Sequence, residues 1–424
     1  MIRTHILPCT LPRPVADALN LTSGAIYTSV LVSHWRVVRH KGHWLSEKAG
    51  TRWSDLRLPV KPLQAHSIDA AQQGFYTACR TTRALRKAGY PDAKFPHWRK
   101  RFRTTIWKNT AIKKEGAMLT LSTGKGHAPI TLRLPGTLVD VVRVLAVRLV
   151  YDKKARRYTW HVVVENGTQP KAAPGAHTVS VDLGEIHPAV VGDSHEATII
   201  GCRERRAASQ GHAKRLASLT AAIAKTRKGS RRYKHLLRTK ARLKAKHKRV
   251  IRDLEHKVSC AIVAVAVASQ AGTIVLGDVR DVADGVNLGR QGNQKISQWN
   301  HGKIRSYVAY KSQAEGIRLV LQDEHYTSQT CPQCGHRHKP RGRVYTCGQC
   351  GFSGHRDVVG QVNILSAYTH GEPGKILAPP VVKYRMPHNL RLMRRCRDTG
   401  QAHTPVAWRP PVQLGLWSQE AAAL

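Results

Sequence analysis

The sequence predicts a multi-domain α+β protein in which helices and antiparallel strands come first and an α/β domain follows. Its 424 residues exceed the roughly 100 to 200 residues of a single domain. Apolar residues recur at the helical spacing to about residue 112, alternate with a period of two from Ala117 to Glu165, and mark strands separated by helices from Val179. Four of the nine cysteines form two Cys-x-x-Cys pairs, which predicts a metal-binding insertion in the α/β part.

The N-terminal half begins with a short strand that ends in proline. The helical region that follows has turn signals at "HKGHW" and "AGYPDA" and ends in a basic and aromatic block, "FPHWRKRFRTTIWKN". The segments "MLTLS", "PITLRLP", "VVRVLAVRLVYD" and "RRYTWHVVVE" are predicted strands of an antiparallel sheet or small barrel. The composition of "NGTQPKAAPGAHT" indicates a linker.

The C-terminal half alternates strands with helices. We expect strands at "TVSVDLG", "AVVGD", "GTIVLGD" and "GIRLVLQDE", a long basic helical stretch from about Gly201 to Gln270, and a helix near Ile304 to Glu315. A further helix begins at about Val358, and the last residues form a basic tail without a clear period. This order is typical of a partly parallel sheet.

The net charge is strongly positive. Seventy lysines and arginines stand against 26 acids, giving +44, and self-repulsion on this scale points to a polyanionic partner, which is most simply nucleic acid. An acidic membrane surface fits less well, because the charge is spread along the whole chain. No apolar run reaches the roughly 18 residues of a membrane span and no signal peptide opens the chain, so we expect a soluble protein of the cytosol.

Two segments are candidate nucleic-acid surfaces. Residues 201–260 hold twenty lysines and arginines against three acids, too few acids for an internally ion-paired face. In the basic and aromatic block, Trp98, Phe102 and Trp107 are interleaved with arginines, and these aromatic rings are equally well explained as core residues. The candidate contacts are Trp98, Arg99, Lys100, Arg101, Arg103, Arg231, Arg232, Lys234, Arg238, Lys240, Arg242, Lys244 and Lys246.

The clustered cysteines predict a structural zinc site. The two pairs are separated by twelve residues, and each pair is followed at once by a glycine, which suits a tight turn. Four thiolates close the coordination shell, so this zinc would organise the chain without taking part in chemistry. The ligands are Cys331, Cys334, Cys347 and Cys350. The other five cysteines are scattered, which is typical of a reducing compartment.

Two carboxylates stand at predicted element ends in a chain poor in acids. Asp182 ends the strand in "VSVDLGE", and Asp357 opens the helix in "GHRDVVGQVNIL". Either one alone is explained by a helix cap or an ion pair. Together they fit a phosphodiesterase that uses two Mg²⁺ ions about 4 Å apart to activate water and stabilise the leaving oxygen.

The order of these motifs resembles TnpB, the transposon-encoded RNA-guided nuclease family that is ancestral to type V CRISPR effectors. The resemblance is carried by "VSVDLGEIHPAVV", "RVIRDLEHKVSCAIVAVA", "GTIVLGDV", "YTSQTC", the cysteine pairs and "GHRDVVGQVNIL". It is specific from about Val179 to Leu365 and looser over the N-terminal half.

The resemblance implies a RuvC-like nuclease domain of RNase H fold with an inserted zinc ribbon, preceded by a wedge β-barrel with an inserted helical recognition domain. Applied to this sequence, it predicts the wedge barrel at 1–14 and 113–170, the recognition domain at 15–112, the nuclease domain at 171–330 and 351–370, the ribbon at 331–350 and a flexible basic tail at 371–424.

One position departs from the family pattern. The family's second catalytic acid is usually a glutamate in a motif similar to "IVIEDL", whereas this chain has "IVLGDV", with Gly277 in that place. Asp278 would replace it only if a bulge turned its side chain to the other face of the strand. Glu324 is the favoured substitute, because in an RNase H sheet its strand lies beside and parallel to the Gly277 strand, roughly 4.8 Å away. A nuclease without a complete site is the third alternative.

The activity that the resemblance implies is RNA-guided DNA cleavage. Asp182, Glu324 and Asp357 would hold two Mg²⁺ ions, the partners would be a guide RNA and double-stranded target DNA, and a monomer on RNA is favoured. The location would be the prokaryotic cytoplasm, at the nucleoid when on DNA. Two alternatives remain, a nuclease-dead RNA-guided DNA-binding protein and a transposase that joins strands itself.

Overall fold

The computed structural model describes residues 2–387 except 125, 154, 168, 281–286 and 288. The chain divides into two compact units, Met1–Gln169 (unit 1) and Pro170–Leu424 (unit 2). Most of the predicted basic tail, with Cys396, lies outside the described residues.

Unit 1 combines helices with two antiparallel sheets. Its elements are β1 (Ile2–Pro8), α1 (Arg13–Lys41), α2 (Glu47–Arg57), α3 (Ala65–Lys87), β2 (Thr105–Lys108), β3 (Ile112–Glu115), β4 (Met118–Leu121), β5 (Ile130–Arg133), β6 (Arg143–Asp152) and β7 (Arg157–Glu165). One sheet has the order β1-β7-β6-β2 and the other β3-β4-β5. Alternating apolar residues bury one face of these strands, and Trp107 and Trp160 meet in their shared core with ring centroids 5.8 Å apart.

The helical part of unit 1 is shorter than predicted. Its last helix ends at Lys87, a loop follows, and Thr105–Lys108 forms β2, which pairs with β6. The segment is a strand because Thr105 and Trp107 are both buried on one face while their neighbours are half-buried. The two-residue spacing of the buried Thr105 and Trp107 is that of a strand, where the sequence predicted that the helical region continues.

Helix α1 is long and apolar enough, by length and composition alone, to cross a membrane. This is weak evidence, since half of the qualifying window is buried inside the unit and a core helix passes the same test. Asn20 on α1 is buried, donates to the Leu149 carbonyl oxygen and accepts from the Thr105 backbone N–H. These contacts are those of a core helix of unit 1.

Unit 2 has mixed α/β structure around one main sheet. Its elements are β8 (His177–Asp182), β9 (Ala189–Gly192), β10 (Glu196–Ile200), α4 (Arg203–Ala224), α5 (Arg231–Ala268), β11 (Ala271–Asp278), α6 (Gly289–Gln298), α7 (His301–Ala314), β12 (Arg318–Asp323), β13 (Val344–Thr346), β14 (Ser353–His355), α8 (Arg356–His370) and β15 (Val381–Arg385). The sheet order is β12-β11-β8-β9-β10-β15, and β13 pairs with β14 separately.

The three strands β8, β11 and β12 run parallel, as predicted. Apolar residues of α5 and α7 share one core cluster with the sheet, including Val181, Ile262, Ile274 and Ile304. Because the carboxyl ends of neighbouring parallel strands open at one edge, the residues that follow these strands meet there. Strand β15 was not predicted, because its residues are mostly exposed and show no alternation.

Candidate active site

The carboxyl ends of β8, β11 and β12 bring Asp182, Gly277 and Glu324 to one edge of the sheet. Val181 pairs with Leu276, so Asp182 and Gly277 are the next residues along neighbouring strands. Gly277 pairs with Gln322 on the other side, and Glu324 follows directly after the end of β12.

Glu324 occupies the space above Gly277. A Cβ atom built at Gly277 would lie 1.7 Å from Glu324 Oε1 and 2.5 Å from its carboxyl carbon. Glu324 Oε1 is buried and has no hydrogen-bond partner among the described residues. The glycine is thus needed for space, and the carboxyl group of Glu324 stands where a side chain of residue 277 would begin.

Asp182 and Glu324 share a poorly solvated environment. Burial raises the pKa of Asp182 to about 7, and the charge of Asp357 adds to this. Burial likewise raises the pKa of Glu324 to about 9, together with the charges of Asp182 and Asp278. The charges of neighbouring acids thus act on Asp182 and on Glu324, and a cation beside them would relieve this repulsion.

Asp357 is the third acid and begins the first turn of α8. Burial would raise its pKa, but the hydrogen bond from His187 and the charge of Arg343 outweigh burial and lower it. His187 Nδ1 lies 2.8 Å and Arg343 Nη1 2.9 Å from Asp357 Oδ2. The ligand atoms of His187, His355 and Asp357 all lie within 4.8 Å of one another, so these residues also form a potential metal-binding group.

Asp278, the competing candidate, is held by arginines. The hydrogen bond from Arg280 lowers its pKa, and Arg305 Nη1 lies 3.5 Å from its Oδ1. The β11 register shifts between Ala271 and Thr273, at the opposite end of the strand. The bulge that would turn Asp278 inward is therefore not found in the described pairing of β11.

A cysteine hairpin, residues 331–355, connects the turn after Glu324 to Asp357. The Cys331 and Cys350 sulfurs are 3.6 Å apart, as are those of Cys334 and Cys347. This is close to the about 3.8 Å between sulfurs around a tetrahedral zinc ion, and all four sulfurs lie within 4.8 Å of one another.

The two halves of the cysteine hairpin repeat one turn. Gly335 donates its N–H to the Cys331 carbonyl oxygen and Gly351 to that of Cys347, each at 3.0 Å. Both glycines have φ of 72°, a left-handed conformation that other residues rarely adopt. The sequence-predicted ligands therefore converge, and the glycines have the role that their position indicated.

The turn between Glu324 and the hairpin is fixed by α8. The buried side-chain amide of Asn363 donates to the Thr327 and Thr330 carbonyl oxygens, at 2.8 and 2.7 Å. Thr327 in turn donates its backbone N–H and its hydroxyl to the Glu324 carbonyl oxygen. Helix α8 thus positions the backbone of Glu324 as well as Asp357.

The basic residues predicted on 201–260 lie on the hairpin of α4 and α5. Within it, Arg231, Arg232, Lys234, Arg238, Arg242 and Lys246 are exposed, while Lys240 and Lys244 are half-buried. In unit 1, Trp98, Arg99, Lys100 and Arg101 are exposed. Arg103 differs, because its guanidinium donates to the Ala70 carbonyl oxygen and lies over the Tyr27 ring, inside the unit.

Sequence reasoning missed His187, Arg343 and Gly360. The first two contact Asp357 from distant parts of the sequence. A Cβ at Gly360 would lie 2.7 Å from Asp182 Oδ2, so this glycine leaves room for the acid. A glycine inside an apolar helix, costly to helix stability, was the only local signal for it.

Two family models match parts of the chain. Residues 161–283 match the family described as "Probable transposase", and residues 301–364 match "Cas12f1-like, TNB domain". The first region contains Asp182 and Gly277, and the second contains Glu324, the four cysteines and Asp357.

Among curated proteins, the "TnpB-like protein MJ0751" of Methanocaldococcus jannaschii is 27% identical over 122 residues, which cover 28% of this chain and 44% of that protein. Over these residues the chain is similar to that TnpB-like protein. The "CRISPR-associated endodeoxyribonuclease Cas12f1" of Sulfoacidibacillus thermotolerans is 27% identical over 112 residues, and that of Syntrophomonas palmitatica 29% identical over 129. The match covers 25% of each of the two and less than half of the archaeal protein.

A solved structure shares the fold of this chain. The cryo-EM structure of a Cas12f1-sgRNA-target DNA complex aligns with a TM-score of 0.56 and 13% identity, and the alignment covers 83% of both chains. The fold is therefore Cas12f-like, and the predicted resemblance to TnpB is confirmed at the level of sequence families.

Proposed function

We propose that this protein is an RNA-guided DNA endonuclease with a RuvC-like site formed by Asp182, Glu324 and Asp357. The observation that carries the proposal is the position of the Glu324 carboxyl group above Gly277, where the side chain of the missing family glutamate would begin. The names of the matched relatives, two of them endodeoxyribonucleases, support the same chemistry.

The three acids fit hard divalent cations. They offer only oxygen ligands, Glu324 Oε1 is buried without a partner among the described residues, and the charge of Asp182 raises the pKa of Glu324 while that of Asp357 raises the pKa of Asp182. When bound, two Mg²⁺ ions would activate water and stabilise the leaving oxygen. Other residues of the chain position the three acids. Gly360 leaves room for Asp182, and Asn363 holds the turn that begins at Glu324. His187 and Arg343 contact Asp357.

The cysteine hairpin would bind structural zinc and so form a zinc ribbon. The hairpin begins seven residues after Glu324 and ends two residues before Asp357. Its Arg343 contacts the Asp357 carboxylate. A zinc ion held by all four thiolates would therefore fix the distance between Glu324 and Asp357, and it would also fix the position of Arg343. Reduced thiolates suit the cytoplasm, where we place the protein.

The partners we propose are a guide RNA and double-stranded target DNA. The exposed cations of α5 would contact phosphates, and base pairing with the guide would select the target, while unit 1 would recognise a short adjacent DNA motif. A nuclease-dead RNA-guided binder is the alternative, and its support is the glycine at 277.

The test is Mg²⁺-dependent cleavage of a guide-matched target, with the guide identified by sequencing RNA that copurifies with the protein. Glu324→Gln keeps the side-chain shape and should lower cleavage by about 100-fold or more, because it removes a metal-binding charge. Asp278→Asn should be far milder, since its partners are arginines. Target binding should stay near wild type in both variants and in Asp182→Ala, which should abolish cleavage.

Three outcomes would contradict the proposal. An active Glu324→Gln protein beside an inactive Asp278→Asn protein would reverse the assignment of the second acid. A wild-type protein that binds its target but never cuts would favour the nuclease-dead binder. Strand joining without copurified RNA would favour a transposase.

A further inference from the structure

Unit 1 carries a rigid exposed arch, residues 97–101, that the proposed cleavage site does not use. Trp98 is 76% exposed, more than any other tryptophan among the described residues. A single exposed apolar side chain is common at a protein surface, so what singles out Trp98 is the cations that follow it. The arch also bears Arg99, Lys100 and Arg101.

The arch is fixed by its backbone. Thr28 on α1 accepts from the Lys100 N–H at 3.1 Å and donates to the Lys100 carbonyl oxygen at 3.2 Å. A Cβ at Gly24 would lie 2.3 Å from the Arg101 carbonyl oxygen, so the arch lies directly against the helix. Trp35 Nε1 donates to the Pro96 carbonyl oxygen at 2.8 Å, just before the arch. Trp98 therefore projects from a backbone that is anchored on both sides.

A groove of about 560 Å³ lies between the arch and α1. Arg99, Lys100 and Arg101 line one side, and small or apolar residues line the other: Leu21, Thr22, Ala25 and Thr28. Within the described residues, the structure shows no hydrogen-bond or ion-pair partner for the Arg99 and Arg101 guanidinium groups. Trp98 is not part of this lining but directly precedes Arg99 in the arch. Cations beside an apolar wall, with an exposed ring next to them in the chain, suit a phosphate, a sugar and a base of one strand.

Neither threonine hydroxyl of the groove has a free proton to donate to a ribose 2′-hydroxyl. The Thr22 hydroxyl already donates to the Ala18 carbonyl oxygen, and the Thr28 hydroxyl is used by the Lys100 backbone. Proteins that select RNA usually contact this hydroxyl. This favours DNA as the strand that enters the groove.

From these observations we infer that the Trp98 arch binds an unpaired nucleotide of single-stranded DNA, with the base stacked on Trp98 and its phosphates on Arg99 and Arg101. The inference rests on the proposed function only for the class of partner, a nucleic acid. Next to a DNA duplex, this contact would hold the first base that leaves the stack, so that an opened duplex end is kept open.

The test uses the full chain with EDTA and without guide RNA, so that cleavage is not involved. The probe is a 12-nucleotide oligo(dT) containing one 2-aminopurine, whose fluorescence falls when its base stacks on an aromatic ring. Wild type should quench the probe. Trp98→Ala should lose most of the quenching and bind about tenfold more weakly, while Trp98→Phe should retain both.

Trp53→Ala is the matched control, because Trp53 is also exposed (53%) in unit 1 and lies on α2, outside the arch. Replacing Arg99 and Arg101 by glutamine should lower the salt slope of binding by about 0.7 for each phosphate that is no longer neutralised, and it should leave the remaining quenching intact.

Unchanged quenching in Trp98→Ala would overturn the inference, and so would equal competition by a DNA duplex. Tighter binding of the uridine counterpart would overturn the assignment to DNA. If the protein does not cleave a guide-matched target, the outcome of this quenching experiment is unaffected, because it is done in EDTA and without guide RNA.

Discussion

Glu324 and Gly277 share one space: the carboxyl group of the first lies where the first side-chain atom of the second would be. Gly277→Ala would place a methyl group 1.7 Å from Glu324 Oε1. Since this oxygen ends a flexible side chain, it can move away at little cost to stability. We expect a melting temperature near wild type and a large loss of Mg²⁺-dependent cleavage, measured on the same preparation. Gly211→Ala is the control, because a Cβ there meets nothing within 4 Å. Full cleavage by Gly277→Ala would show that the position of Glu324 is irrelevant.

Replacing Glu324 by glutamine should stabilise the fold while lowering cleavage by about 100-fold or more. Without a metal, burial and the charges of Asp182 and Asp278 raise the pKa of Glu324 to about 9, so folding near neutral pH must protonate this carboxyl group, whereas glutamine has the same shape and needs no proton. In EDTA, Glu324→Gln should melt a few degrees above wild type. With Mg²⁺ the gap should narrow, because only the intact site gains from binding. Glu372→Gln, the same substitution at a 63% exposed side chain that is not among the charges acting on Glu324, should change neither value. A lower melting temperature for Glu324→Gln in EDTA would contradict this account.

The cysteine hairpin should lose its metal and its order together. Cys347→Ser removes one of four thiolates, so zinc content by mass spectrometry and the melting temperature should both fall. Cleavage should fall as well, because Arg343 in the hairpin contacts Asp357. Cys260→Ser, at an exposed cysteine outside the hairpin, should retain one zinc per chain. Unchanged zinc stoichiometry in Cys347→Ser would remove the hairpin as the binding site.

Binding of nucleic acid should depend on the exposed face of α5. Arg238, Arg242 and Lys246 follow one another at the four-residue spacing of a helix face. Replacing all three by glutamine should lower the salt slope for a DNA–RNA heteroduplex by about 0.9 for each phosphate that is no longer neutralised. Lys257→Gln is the control, since Lys257 is on the same helix but is paired with Asp253 at 2.7 Å. An unchanged slope in the triple variant would place the phosphate-binding residues elsewhere.

Unit 1 should lose stability as the pH falls. Burial, with the charge of Arg83, lowers the pKa of His34 from 6.5 to about 4. The unfolded chain therefore binds a proton below about 6.5 that the folded chain takes up only near 4, so stability is complete above 6.5 and declines below it. At pH 5 the loss from this residue is up to about 2 kcal/mol. Denaturation of wild type and His34→Phe at pH 7 and pH 5 should show a smaller loss in the variant, and equal losses would exclude His34 as the cause.

Much of the α/β unit could be predicted from local sequence. Strands β8, β11 and β12 are short apolar runs that end in acids or glycine, and the spacing of the cysteines fixes their turns. The parallel pairing of β11 with β12, which brings Glu324 to Gly277, followed from the expected fold.

The unpredicted features depend on contacts between distant residues. His187 and Arg343 reach Asp357 across 170 and 14 positions of the sequence, and nothing near either residue signals this. Arg103 lies in a basic segment that predicts phosphate contact, yet its side chain packs between α1 and α3. A Cβ at Gly74 would lie 2.0 Å from its guanidinium group. Tertiary packing decided these positions, and local pattern did not.

The shared space of residues 277 and 324 also restricts how such a site can change over generations. A chain with glutamate at both positions must fit two like charges into one volume, and a chain with glutamate at neither lacks its third acid. A single substitution from one arrangement towards the other gives either two acids crowded into one space or a site without its third acid. Exchanging the two placements of the acid therefore takes two substitutions, and neither of them alone gives a complete and uncrowded site.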